Sequence, residues 1–207
     1  MNNYFHRAPA IDLPADIVTD LLKSIEQNNI EGSWFRMDRN CGKSWFKRMV
    51  LGYFFRKGFF QCFRIGTDLE YRIYKHLHKF IDTVGQQPKI RFKVTHNVRK
   101  LMPHSDAADG GDYSSVVVLI KGNNEVTTWY NAGRECHSSF KELLSLTPVE
   151  NAQFEPQVSY LFNNEQVHGV SNCQPEQTRY LLSISWQSVT YDQVVDAYKK
   201  YERYKNN

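Results

Sequence analysis

Residues 101–113, LMPHSDAADGGDY, set a histidine and an aspartate one residue apart, at His104 and Asp106. On a β-strand, side chains at i and i+2 point to the same face. An imidazole nitrogen and a carboxylate oxygen can therefore converge on one point and bind a metal ion. Such a point needs a third ligand. His168 supplies one: it ends the alternating run QVSYLFNNEQVHGV and is followed by Gly169. Two histidines and one carboxylate on one face of an octahedron, with the other positions open, suit a non-haem Fe(II) centre that must hold further reactants. Arg179 follows His168 by eleven residues and opens the run RYLLSISW. Its guanidinium is permanently charged and grips a carboxylate through two parallel hydrogen bonds. The bland alternative is a polar turn at His104–Asp106 with an unrelated loop histidine and surface arginine. The other histidines make weaker ligands. His76 and His78 stand two apart on a predicted helix and face different ways, His6 lies in an N-terminal tail, and His96 lies within an alternating strand.

The elements that must position these residues follow from periodicity. Residues 14–27 read as a helix, with Pro14 in the first turn and Ile17, Leu21, Leu22 and Ile25 on one face. Residues 67–84 read as a second helix. Thr67-Asp68-Leu69-Glu70 has the capping-box pattern, and Leu69, Ile73, Leu77, Phe80, Ile81 and Val84 form a stripe that stops at Gly85. After Pro88 the texture turns to strands. KIRFKVTHNVRKLM alternates, and YSSVVVLIKGNNEVTTWYNA reads as two β runs around a hairpin signal at Gly122-Asn123-Asn124. CHSSFKELLSL reads as a short helix, QVSYLFNNEQVHGV and TRYLLSISWQS as further strands, and YDQVVDAYKKYERYK as a closing amphipathic helix. About six to eight strands over residues 89–188, with helices before and after, predict an α+β chain with a mainly β core, rolled into a barrel or jelly roll. One domain spans 1–207: a helical, aromatic and basic N-terminal part over 1–88, the core over 89–188, and a C-terminal helix over 189–207.

The ordered set His104-x-Asp106, His168 and Arg179 resembles the H-x-D…H…R signature of the Fe(II)- and 2-oxoglutarate-dependent dioxygenases. The signature covers 76 residues of the chain. The resemblance implies a double-stranded β-helix, a cupin-like jelly roll. It implies that His104, Asp106 and His168 bind Fe(II), and that Arg179 holds the C5 carboxylate of 2-oxoglutarate. It also implies that O2 is the second cosubstrate, and that decarboxylation to succinate and CO2 is coupled to oxidation of a substrate, usually hydroxylation. Asp106 stands where the family's halogenases have a small residue, which favours hydroxylation. Position 185 is Ser where the nucleic-acid repair branch carries a second arginine. Position 181 is Leu where plant-type members carry a serine, so the second hydroxyl on the C5 carboxylate is open, with Ser183 and Thr128 as candidates. The expected substrate is a small molecule such as an amino acid or a natural-product intermediate.

Composition restricts the alternatives. Net charge is +4 and 41% of residues are hydrophobic, as in an ordinary globular protein. The basic charge is concentrated. Residues 33–64 carry eight Lys or Arg against one acid, a window of +7, interleaved with ten aromatics. Such a segment can contact single-stranded nucleic acid, pack on the core with its charges snorkelling to water, or wall a substrate pocket. Packing is the favoured reading, and nucleic acid is not the favoured partner. Gly42-Lys43-Ser44 lacks the glycine that a phosphate-binding loop requires at position 37, which is Met. Cys41, Cys62, Cys136 and Cys173 form no CxxC pair, and Cys173 lacks an acid–base partner beyond nearby His168. The N-terminus has no apolar signal region and no run is long enough for a bilayer, so a cytoplasmic protein with free thiols and no membrane partner is expected. A cupin-like metal- or ligand-binding module without oxidative turnover is the main rival reading, and a nucleic-acid- or protein-modifying oxygenase that uses the basic aromatic segment 33–64 is the other.

Overall fold

The computed structural model describes residues 3–26, 32–33, 59–63, 66–96, 101–107, 111–122, 124–132, 145–172 and 178–206. The basic aromatic window lies outside these residues, apart from the backbone of Ser33 and Phe59–Phe63. So do the helix expected at 136–146, except for its last two residues, and Cys41, Cys136 and Cys173. In chain order the strands are β1 (Phe5–Arg7), β2 (Gly32–Ser33), β3 (Phe59–Phe63), β4 (Lys89–His96), β5 (Leu101–His104), β6 (Ser114–Lys121), β7 (Val126–Tyr130), β8 (Pro148–Ala152), β9 (Ser159–Asn163), β10 (His168–Ser171) and β11 (Arg179–Trp186). The helices are α1 (Ala15–Glu26), α2 (Thr67–Val84) and α3 (Tyr191–Asn206). The strands form two antiparallel sheets. The larger has the order β1-β9-β6-β11-β4-β3-β2 and the smaller β5-β10-β7-β8. The non-sequential orders, with successive strands passing between sheets, form the jelly roll expected from the sequence. Among the described residues, the first 88 add three strands as well as two α-helices.

Two side-chain layers follow from strand alternation. Leu182, Ile184 and Trp186 on β11, Phe92 and Val94 on β4, and Val116, Val118 and Ile120 on β6 face the helices. Leu181, Val117 and Leu119 face the other way and pack with Trp129 of β7 and Phe162 of β9 between the sheets. The helices cover the outer face because each carries an apolar stripe. On α2 this is Leu69, Ile73, Leu77, Phe80 and Ile81, as the period predicts. Phe80 meets Trp186 edge-on with centroids 6.1 Å apart, and the Trp186 indole donates to the Gln86 carbonyl at 2.9 Å. Arg72 of α2 ties down α1 through Asp20 and Asp16 at 2.6 and 2.7 Å.

Three local expectations are revised. The N-cap of α2 is Gly66, with no side-chain cap, so Thr67 is the first helical residue and the capping box does not form. Gly85 closes the helix in the left-handed region, at φ 80°, as expected. The runs around residues 122–124 do not form a hairpin. β6 belongs to the larger sheet and β7 to the smaller, so this connection turns a corner between sheets. Gly122 suits the corner because a Cβ there would stand 2.8 Å from both the Glu125 carboxylate and the Leu119 side chain. The segments read as single strands at 89–102 and 157–170 each break into two, β4/β5 and β9/β10, and each pair is split between the sheets.

Phe80 is fully buried where the helices meet the sheet. Phe80→Ala should lower the unfolding free energy by about 3–5 kcal/mol, read from urea denaturation. Tyr71→Ala, on the exposed side of the same helix, should change it by less than about 0.5 kcal/mol.

Candidate metal centre

The smaller sheet brings the metal-ligand candidates together. β10 pairs with β5 so that His168 stands directly opposite His104, and with β7 so that His168 also stands opposite Trp129. The two imidazole centroids are 4.6 Å apart. β5 ends at His104, and the turn that follows carries Asp106 back beside it, with His104 Nε2 3.4 Å from Asp106 Oδ1. That turn is held by Ser105 Oγ, which donates to the Asn164 carbonyl at 3.0 Å, and by Ala107 N, which donates to the same carbonyl at 3.3 Å. One ligand atom from each of His104, Asp106 and His168 lies within 4.8 Å of the others. Among the described residues the other histidines are elsewhere. His76 contacts the Asp12 carbonyl, His78 the Lys75 carbonyl, and His6 packs on Tyr198.

The electrostatics suit a cation. His168 is buried, and its Nδ1 donates to the Gln166 carbonyl at 2.9 Å. A carbonyl only accepts, so Nδ1 carries the proton and the Nε2 lone pair is left for a ligand bond. Burial, with the neighbouring His104, pushes the His168 pKa down to about 3, which keeps the ring neutral. Burial alone would raise the Asp106 pKa. The Lys93 ammonium and the hydrogen bond to His104 outweigh it and hold this carboxyl well below the usual range. Lys93 Nζ reaches Asp106 Oδ2 at 3.2 Å, while Oδ1 faces His104. The neutral His168 imidazole, the His104 imidazole beside it and the ionised Asp106 carboxylate form a donor set that fits a divalent metal.

The larger sheet supplies the remaining groups. Arg179 begins β11 and is buried. It is paired in register with Thr95 of β4, whose buried Oγ1 has no hydrogen-bond partner. Lys93 and Thr95 are residues that sequence reasoning missed. KIRFKVTH alternates, with Ile90, Phe92 and Val94 on one face. The opposite face, carrying Arg91, Lys93 and Thr95, reads as solvent-facing but here lines the space between the sheets. Ser183 lies four residues beyond Arg179, about 13 Å along the strand. Thr128 lies on β7 next to inward-facing Trp129, and so on the opposite face, where its hydroxyl donates to Asn151 Oδ1 at 2.8 Å. The structure brings together His104, Asp106 and His168, and sets Arg179 beside Thr95. It does not bring Thr128 or Ser183 to Arg179.

No family model and no curated protein matches this sequence. Solved structures do. One is the epimerase SnoN from nogalamycin biosynthesis, in complex with Fe3+, α-ketoglutarate and nogalamycin RO. It is 13% identical, with a TM-score of 0.55 over 88% of this chain and 78% of that one. A second is a Trichoplax adhaerens prolyl hydroxylase bound to a hypoxia inducible factor peptide, 13% identical, with a TM-score of 0.55 over 94% of this chain and 87% of that one. A third is HygX from Streptomyces hygroscopicus with nickel, 2-oxoglutarate and hygromycin B, 11% identical, with a TM-score of 0.52 over 88% and 82%. The two sheets of this chain are thus arranged in the double-stranded β-helix fold of the Fe(II)- and 2-oxoglutarate-dependent oxygenases.

Proposed function

We propose that this chain is an Fe(II)- and 2-oxoglutarate-dependent oxygenase that hydroxylates a small molecule, such as an amino acid or a natural-product intermediate. The observation that carries the reading is the convergence of His104, Asp106 and His168 inside a fold whose solved examples hold iron or nickel with α-ketoglutarate. Bound Fe(II) would supply O2 activation coupled to decarboxylation of 2-oxoglutarate to succinate. The protein's own part is positional. The Gln166 carbonyl fixes the His168 tautomer. Lys93 holds Asp106 Oδ2, so Oδ1 is the oxygen that Asp106 would offer to a metal. Arg179 takes the C5 carboxylate of 2-oxoglutarate, with Thr95 as the hydroxyl standing beside it. SnoN and HygX are solved with small molecules and the prolyl hydroxylase with a peptide. The small-molecule choice follows the first two.

Succinate released from 2-oxoglutarate by Fe(II)-loaded protein under air tests the reading, with His104→Ala as the inactive control. Absence of both metal binding and turnover would refute it. Arg179→Ala should weaken 2-oxoglutarate by about 10–100-fold, the worth of a charged hydrogen-bonded pair, and leave Mn(II) affinity within about threefold. Equal loss of both would make Arg179 structural. Thr95→Val should weaken 2-oxoglutarate alone, by about fivefold.

The metal-free site also has a pH signature. Between about 3 and 6.5 the unfolded chain protonates His168 and the native chain does not. The unfolded state then binds more protons, so stability falls as pH falls through this window, by up to about 1.4 kcal/mol per pH unit from this group. Urea midpoints at pH 7.5 and 4.5 should drop less in His168→Gln than in the parent. An equal drop would show that His168 is not held neutral.

A further inference from the structure

The inward face of the larger sheet does not end at the residues beside the metal site. Next to the Arg179–Thr95 and Leu181–Lys93 pairs, Ser183 stands opposite Arg91 of β4 and Val117 of β6. In the following row Ser185 stands between Lys89 and Ser115. Ser115 Oγ donates to Asn164 Oδ1 at 3.3 Å, and Arg91 is paired with Asp112 at 2.8 Å. This row abuts the metal site from two directions. The Asn164 carbonyl holds the His104–Asp106 turn, and Phe162, the register partner of Ser115, meets His168 edge-on at 4.8 Å.

Four buried polar atoms in this row have no hydrogen-bond partner: Ser183 Oγ, Ser185 Oγ, Asn164 Nδ2 and Asp112 Oδ1. Their residues are at most 5% exposed. Native proteins seldom leave buried polar atoms unpaired, and each such group calls for a physical reason. A cluster of four on one wall, beside the residues that hold the candidate reactive centre, is accounted for by a ligand that pairs them. The chemistry of the four is mixed. The hydroxyls donate and accept, the amide nitrogen donates, and the carboxylate oxygen accepts. Arg91 and Asp112 cancel each other's charge, and the cation that borders the row, Lys89, is exposed at its edge, so the four unpaired atoms themselves meet a neutral group. Arg91 is one-third exposed and connects the wall to solvent.

We propose that Arg91, Asp112, Ser183, Ser185 and Asn164, with Ser115 behind them, recognise a neutral polyhydroxylated group of the substrate and set it against the metal site. This deepens the oxygenase reading and rests on it. It assigns Ser183 to the substrate and not to 2-oxoglutarate, consistent with its distance along β11 from Arg179.

The test uses methyl α-D-glucopyranoside as a neutral polyol probe and glucose 6-phosphate as its charged counterpart. Saturation-transfer NMR reads contact with the protein without needing a metal, and Mn(II) and 2-oxoglutarate binding are measured on the same samples. Transfer to the glucoside ring protons is expected, with little to the phosphate ester. In Ser183→Ala/Ser185→Ala the glucoside should bind about tenfold more weakly, with Mn(II) and 2-oxoglutarate binding retained. The single Ser185→Ala variant and the melting temperature of each protein guard against a folding defect. No transfer to the glucoside, or equal transfer in the double variant, overturns the proposal. Loss of 2-oxoglutarate binding with the serines also overturns it, because it places them on the cosubstrate. Failure of the parent protein to bind Mn(II) and 2-oxoglutarate sinks the oxygenase reading instead. Serine-dependent glucoside binding in that case still supports the wall.

Discussion

The pairing of β10 with β5 is the contact on which the candidate site depends. Both strands are four residues long, and the register between them shifts after His168. That short ladder sets His168 opposite His104 and, through the turn after β5, brings Asp106 within reach. A slip of one residue would send His168 to the other face of the sheet. Support comes from outside the ladder. β7 pairs with the far edge of β10, and Asn164 holds the turn through two hydrogen bonds to its carbonyl. Register is also maintained by packing, because Phe162 and Trp129 pack together beside the His168 ring.

The second constraint is charge in an enclosed space. Removing a carboxylate from water is costly unless it is paired. Asp106 is paired in advance by Lys93, and Asp112 by Arg91. Both cations come from one face of β4, whose other face is apolar and packs under the helices. A single strand thus serves two environments: Ile90, Phe92 and Val94 build the outer core, while Arg91, Lys93 and Thr95 equip the interior. The Lys93 contact also means that the carboxylate has a counter-charge before any metal is bound.

Much of this was legible in the sequence, and the exceptions have physical causes. The helices were legible because an apolar stripe at helical spacing arises from little else than a helix with one buried face, and the boundaries of α2 match the expected 67–84. His104, Asp106 and His168 converge as a group, but Asp106 sits in the turn after β5 and not on the strand that the i, i+2 argument assumed. That β4 and β5, and β9 and β10, belong to different sheets was not legible, because each segment reads as one continuous β run in the sequence. The supposed hairpin failed for the same reason: turn residues mark a reversal of direction but not which sheet receives the next strand. Lys93 and Thr95 were hidden because a polar face looks the same whether it meets solvent or the inside of a barrel. Thr128 was the opposite case, a threonine one residue out of phase with inward-facing Trp129.

The place of β11 has a consequence for how the chain is made. Among the described strands it comes last in the sequence, yet it lies at the middle of the larger sheet, between β6 and β4. Until residues 179–186 leave the ribosome, those two strands have no shared neighbour, and the sheet exists only as separate edges. α3 follows immediately and covers the outer face, where Tyr198 accepts from the Ala10 amide and Lys205 donates to the Ala10 carbonyl. Vectorial synthesis therefore holds back closure until all the other described strands have been made. Because non-local strand pairing is slow, exposed strand edges make the nascent chain vulnerable to aggregation during that interval. Loss of residues 179–186 would strike the sheet at its centre and not at its rim.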